Sequence, residues 1–254
     1  MITVLSPAKN LNTDIERKVQ YSQPRHLKQS AQLISKLRTF SKPKLQDLMS
    51  ISKDLALLNQ QRYQAYDEVH SLDNSTPAVF TFSGDVYRGL EAEHLDDKTL
   101  DYMNDHLRIL SGLYGILRPF DLIQPYRLEM GTSLPVRRKK NLYEFWGDTL
   151  TNTLNEDIRA SKSSHVVNLA SDEYWSAINT KQLTVPVIKV NFLEWRKGKY
   201  RFLSFNAKRA RGMMTRFIME ERIEEPENLI GFDIDNYHYN SDLSDERTYI
   251  FTRE

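Results

Sequence analysis

Three short apolar runs, at residues 1–5, 78–82 and 166–169, each stop abruptly at a polar segment. The first breaks into Ser6-Pro7-Ala8-Lys9, the second into Ser83-Gly84-Asp85, and the third into Ala170-Ser171-Asp172-Glu173. Stretches with helical spacing lie between them. Residues 24–39, for example, place Leu27, Ala31, Ile34 and Leu37 on one stripe. Buried strands separated by helices need crossover connections, and that confines the chain to an α/β architecture.

The remaining pattern fills in that frame. Ser41 is placed to cap a second helix with Pro43 in its first turn, and a third helix covers 54–66. Further helices are expected over 96–103, 142–154 and 206–223. Residues 106–110 are strongly apolar, and further strands are expected over 185–192 and 248–252. Residues 187–193 and 199–205 pair across Lys197-Gly198, a turn of hairpin type. That pair is antiparallel, so the sheet is mixed. No repeat, low-complexity tract or Gly/Ser linker interrupts the 254 residues, so the expectation is a single compact domain over 1–254, a mixed sheet flanked by helices.

Several chemistries fall away at once. The chain has no cysteine, which removes disulfides, thiolate metal ligands and a thiol nucleophile. No Gly-x-Ser-x-Gly elbow, Walker lysine loop or Gly-x-Gly-x-x-Gly fingerprint occurs. The six histidines (His26, His70, His94, His106, His165 and His238) contain no i,i+4 pair and no His-x-His, so no metal and no cofactor are expected. No apolar run nears the roughly 20 residues of a membrane span. The first residues lack the basic start and long apolar stretch of a signal peptide, so the expected location is cytoplasmic, with no membrane and no obligate protein partner.

Net charge is +1, but its distribution is uneven. Residues 189–216 hold nine basic side chains against Glu194 alone, whereas 219–254 hold eleven acidic against three basic. Either the two stretches face each other, or the basic one meets a polyanion. The helix over 206–223 sharpens the second option. It puts Lys208, Arg211 and Thr215 on one stripe and Arg209 and Arg216 on a neighbouring one, with Ala210, Met213, Met214 and Phe217 on the apolar side. Cations near a helix start oppose the macrodipole, an arrangement that a bound phosphate would relieve. The aromatic residues (13 Tyr, 11 Phe, 3 Trp) are not read as a platform of rings alternating with cations for single-stranded nucleic acid.

Polar residues at the carboxyl ends of strands can form the rim of a ligand crevice. Lys9, Asp85, Asp172 and Glu173 stand at such ends, and Arg88 follows in Gly84-Asp85-Val86-Tyr87-Arg88-Gly89. Arg127 and Glu129 share a face if 124–131 is extended, either as an ion pair or as a ligand clamp beside an acid/base. The run 110–119 joins an apolar helix end to Gly112, Gly115 and Arg118, which reads either as a hairpin presenting N–H groups to phosphate or as a core turn.

Ser6-Pro7-Ala8-Lys9, Phe82-Ser83-Gly84-Asp85-Val86-Tyr87, Leu110-Ser111-Gly112-Leu113-Tyr114-Gly115, Gln124-Pro125-Tyr126-Arg127-Leu128-Glu129-Met130-Gly131, Phe145-Trp146-Gly147-Asp148, Asn168-Leu169-Ala170-Ser171-Asp172-Glu173-Tyr174 and Lys208-Arg209-Ala210-Arg211-Gly212 occur in that order. The chain thereby resembles the YaaA family of bacterial peroxide stress proteins over nearly its whole length. The resemblance implies a cytosolic protein that keeps unincorporated iron low and limits peroxide damage to DNA and protein. It also implies a positively charged cleft, a helix-hairpin-helix-like element and affinity for double-stranded DNA. Lys9, Arg118, Arg127, Lys208, Arg209, Arg211 and Arg216 are the matching residues most relevant to that cleft, and Arg88 joins them from its own surroundings.

Two functions are weighed. One is a stress protein that binds double-stranded DNA, or another polyanion, through those cations. The other is an enzyme acting on a nucleotide, base or phosphorylated metabolite, with Asp85, Glu129, Asp172 and Glu173 as candidate acid/base groups. The first is preferred, and whether the protein is an enzyme stays open.

Overall fold

The computed structural model describes residues 1–254. The opening apolar run forms β1 (Ile2–Leu5), buried at every residue. Next come β2 (Leu107–Ser111), β3 (Gly115–Leu117), β4 (Val166–Asn168), β5 (Val187–Arg196), β6 (Lys199–Arg201), β7 (His238–Tyr239) and β8 (Thr248–Arg253). They form one mixed sheet in the order β7-β8-β5-β4-β1-β2-β3, with β6 paired to the end of β5. Strand β1 lies parallel to both neighbours, Thr3 standing opposite Leu107 on one side and Val167 on the other. Strands β2 and β4 are also buried throughout, as strands covered on two faces are, with Arg108, Ser111 and Asn168 buried among their apolar residues. Strand β5 alternates toward the edge, and β8 lies parallel to it.

Helices cover the sheet: α1 (Leu27–Arg38), α2 (Lys42–Met49), α3 (Lys53–Ala65), α4 (Asp85–Leu90), α5 (Asp97–His106), α6 (Leu142–Trp146), α7 (Thr149–Ser161), α8 (Asp172–Trp175) and α9 (Ser204–Glu220). Ser41 is the residue before α2, and Pro43 occupies its first turn. Asp96 caps α5 by accepting from the Thr99 N–H at 2.7 Å. Helix α9 turns Ala207, Ala210, Met213 and Met214 inward.

Four expected segments are built differently. Residues 78–82 are a buried helical turn, Ala78–Thr81, followed by a two-residue strand, Phe82–Ser83, paired with Asn10–Leu11. Thr81 closes the turn by donating to the Pro77 carbonyl at 2.8 Å, and an unbroken apolar run carries no periodicity to distinguish helix from strand. The helix expected over 142–154 is broken into α6 and α7 at Gly147, whose φ of +48° no helix accommodates. The second arm of the hairpin ends at Arg201, and α9 begins already at Ser204. The 110–118 run is no helical hairpin: it is the β2–β3 turn, with Leu113 and Tyr114 fully buried.

The glycines of that turn explain why. A Cβ at Gly112 would lie 2.2 Å from the Leu128 carbonyl oxygen, and one at Gly115 2.9 Å from the Trp146 ring. These glycines admit the protein's own backbone and indole, so the turn is closed to a phosphate.

The spatial order reverses at β1. The chain leaves it for β2 on one side and later returns to place β4 on the other. In open sheets of this kind, the crevice at the carboxyl ends beside the reversal is the favoured ligand position.

Candidate functional site

The loops leaving β1 and β4 are tied directly together. Ser6 Oγ accepts the Ser171 N–H at 2.8 Å and faces Ser171 Oγ at 3.2 Å. From α4, the buried Tyr87 hydroxyl donates to the Ser6 carbonyl at 3.0 Å. These contacts hold three polar strand ends around one recess of about 290 Å³, lined by Lys9, Asp85, Glu173, Tyr174, Lys208 and Arg211 among others. The sequence expectation of convergent strand ends is met by Lys9, Asp85 and Glu173.

Beside the recess, Glu129 Oε1 bridges Arg127 Nη2 at 2.9 Å and Lys9 Nζ at 3.3 Å. Of the two readings for Arg127 and Glu129, the ion pair is therefore present. Their side chains are 14% and 13% exposed, and Arg127 Nε and Glu129 Oε2 have no hydrogen-bond partner. Arg211 Nε is likewise buried and unpartnered. Burial pulls the Arg211 guanidinium below its usual range, and the charge of Asp172 opposes that shift. Glu173 Oε1 accepts the Gly131 N–H at 2.9 Å, which locks this carboxylate against the 124–131 segment. Burial pushes the Tyr174 hydroxyl well above its ordinary value, assisted by Tyr126, Glu173 and Glu129, so it stands here as a neutral donor.

A second, more open cleft of about 630 Å³ shares Ser83, Gly84 and Asp85 with the recess and adds Arg88, Glu91, Glu93, Phe205 and Arg209. Charged lining differs between the two. The recess has three cations against Asp85 and Glu173, whereas the cleft sets Arg88 and Arg209 against three carboxylates. Arg88 also lies 3.6 Å from Asp85.

Three expected site residues stand elsewhere or are already satisfied. Asp172 points outward, 88% exposed, and meets Lys189 at 3.5 Å. Arg216 lies 3.0 Å from both Glu91 and Glu220. Arg118 follows β3, which runs antiparallel to β2, so it sits at the opposite end of the sheet near Arg108 and Asp121. No three carboxylate or imidazole side chains converge as metal ligands would, and no helix is long and apolar enough to cross a membrane.

The structure also reveals what the sequence reading passed over. Phe202 and Phe205 are 52% and 62% exposed, and Trp195 is 43% exposed. They stand within Trp195-Arg196-Lys197-Gly198-Lys199-Tyr200-Arg201-Phe202-Leu203-Ser204-Phe205. The signal was available: rings and cations interleave there, contrary to the expectation that no such run exists. Lys197, Lys199, Arg201, Lys208 and Arg209 are all exposed, and none takes part in an ion pair.

Sequence comparison agrees with this shared arrangement of segments. Residues 1–243 match the family described as "Peroxide stress protein YaaA". A UPF0246 protein of Hahella chejuensis is 49% identical, with all of both chains covered. One of Janthinobacterium is 47% identical over 100% of this chain and 99% of its own. A third, from Neisseria meningitidis serogroup B, is 46% identical over 100% of this chain and 98% of its own.

Proposed function

The chain belongs to the YaaA family of peroxide stress proteins, and from that membership we propose that it protects the cell against peroxide by binding duplex DNA. The observation that carries this reading is the set of free cations on one continuous segment. Lys197, Lys199 and Arg201 of the β5–β6 hairpin and Lys208 and Arg209 of α9 are exposed and without carboxylate partners. The hairpin prolongs β5 at the carboxyl edge of the sheet, the same edge that bears Lys9. Contacts of this type act on the phosphate backbone without reading sequence. The reading includes the lower level of unincorporated iron that the family resemblance implies.

The test is fluorescence anisotropy of a labelled duplex across a salt series, using the wild type and Lys208→Ala/Arg209→Ala. Four or five phosphate contacts predict a log–log slope of about −4 with salt, and the double variant should lose roughly two units of it. No measurable binding at ~50 mM salt would remove DNA from the reading.

A second reading has its own observation. A phosphate backbone has no use for the carboxylates Asp85 and Glu173, which stand inside the recess with the unpartnered Arg211 Nε. These suit an enzyme acting on a nucleotide, base or phosphorylated metabolite, with cations holding the anion and a carboxylate moving a proton.

A further inference from the structure

The exposed rings near the recess need a separate account, because duplex DNA hides the faces of its bases and would leave them unused. Trp195 and Tyr200 are cross-strand partners in the hairpin, with ring centroids 5.0 Å apart and edge-to-face. Phe202 has the Arg211 guanidinium 5.9 Å from its ring centroid. Phe205 lines the open cleft beside Arg209. Two exposed phenyl rings thus lie next to arginines that also line the cavities, with Lys208 between them in sequence.

Folding gains nothing from leaving large rings in water, since each forfeits the burial energy that the rest of the core collects. Their cost is recovered if a flat apolar surface covers them. The surrounding charge says which kind. An apolar protein surface or a lipid tail would meet Lys197, Lys199, Arg201, Lys208 and Arg209, while an unpaired nucleotide supplies both a π-face and a phosphate. Rings and cations succeed one another along 195–209, the two kinds of group that a base and a phosphate call for.

We infer that Phe202 and Phe205, with Lys208, Arg209 and Arg211, form a site for unpaired nucleotides in DNA. The bases stack on the two rings and the intervening phosphates lie on the cations. This rests on the DNA-binding reading and deepens it: the preferred substrate class is DNA with unstacked bases, such as a gap or a frayed end. Every base has a π-face, so the site would tolerate any sequence.

Three labelled probes test it by anisotropy: a duplex, the same duplex with a short central gap of unpaired thymines, and a 12-nucleotide single strand. The proteins are wild type, Phe202→Ala/Phe205→Ala, Phe202→Leu/Phe205→Leu and Lys208→Ala/Arg209→Ala. Both rings are on the surface, so thermal melting should be unchanged in the ring variants and serves as the folding control. Wild type should bind the gapped probe at least about tenfold tighter than the duplex. Both ring variants should lose that preference and keep the duplex affinity, while the basic variant weakens on all probes.

Equal wild-type affinity for gapped and intact duplex overturns the inference and leaves duplex binding standing. A preference that survives in the leucine variant also overturns it, because stacking needs the ring. If wild type binds the gapped and single-stranded probes but not the duplex, the inference holds and the duplex reading falls. If no probe binds, both fall. Ring-dependent sedimentation with phosphatidylserine vesicles, with DNA affinity unaffected in the ring variants, would assign the rings to a membrane surface instead.

Discussion

Gly89 and Gly212 each press into the backbone of the other's helix. A Cβ at Gly212 would lie 1.8 Å from the Val86 carbonyl oxygen, and one at Gly89 2.1 Å from the Arg209 carbonyl oxygen. Helices α4 and α9 cross there with no side chain between them. This contact fixes Asp85 and Arg88 on α4 relative to Lys208, Arg209 and Arg211 on α9, so it sets the width of both cavities.

Gly212→Ala therefore tests whether that crossing positions the site. In an exposed helix interior the change would favour folding by about 1 kcal/mol. Here the methyl group meets backbone that has nowhere to go, and overpacking should reverse the sign, costing about 1–3 kcal/mol or more. The expected outcome is a lower Tm together with weakened anion binding, read by melting and by DNA anisotropy. An unchanged Tm would show that the helices can part without cost.

A buried charge cluster at the other end of the sheet is structural. Asp157 accepts from Arg25 Nη1 and Nη2 at 2.8 and 2.9 Å and from Arg108 Nε at 2.6 Å, and Arg108 is almost fully buried. Asp157→Ala strands the Arg108 guanidinium without its carboxylate and should cost about 3–5 kcal/mol in a urea melt. Arg25 is 21% exposed and can turn to water. The double variant Arg108→Met/Asp157→Leu should therefore be less destabilised than Asp157→Ala alone. A double variant as unstable as the single one would show that the pair's value is its own attraction.

The sequence disclosed the frame of this site and hid its boundaries. Lys9, Asp85 and Glu173 were legible because short buried strands must end in turns, and the turns of parallel strands share one edge. Asp172 shares that turn with Glu173, but the one-turn helix α8 sends neighbouring side chains in different directions, which spacing alone does not give. Arg118 was misplaced because the β2–β3 turn reads like a glycine-rich phosphate loop until the partners of Gly112 and Gly115 are known. Those partners, Leu128 and Trp146, are 16 and 31 residues away in the chain. The rings at 202 and 205 fall in the expected second arm of the hairpin, whose alternation would put them on opposite faces; the strand ends at Arg201, and both rings are exposed.

Glu129 separates the two functional readings. It stands between Arg127 and Lys9 and adds negative charge beside the cations of the recess. Glu129→Gln should leave DNA affinity equal or raise it by a few-fold, since one repelling charge is removed. If protection is exerted by binding, survival of cells under hydrogen peroxide should be unchanged. Survival lost while DNA affinity is retained would move the function into the recess and make the carboxylate chemically active.

Two buried histidines and one half-buried one give the fold a defined acid sensitivity. Burial is the largest influence on His26, His70 and His106, and it lowers each below the ordinary value of 6.5. The opposing pulls are smaller: Glu156 and Asp157 on His26, the Glu68 carbonyl and Asp67 on His70, and the Met1 carbonyl and Asp105 on His106. Between the lowered folded values and 6.5, the unfolded chain holds more protons than the folded one, so stability rises with pH. Their contribution is complete above pH 6.5 and is lost as pH falls through the folded values. Melting temperature should thus be higher at pH 7.5 than at pH 5.5, a range in which ordinary carboxylates do not titrate. His70 Nε2 contacts the buried Tyr114 hydroxyl at 3.1 Å, a contact that an amide can reproduce. His70→Gln should therefore flatten the pH profile by one residue's share, with a modest loss of stability at pH 7.5. A profile as steep as wild type would show that His70 takes up its proton as readily in the fold as in the unfolded chain and that the other two carry the effect.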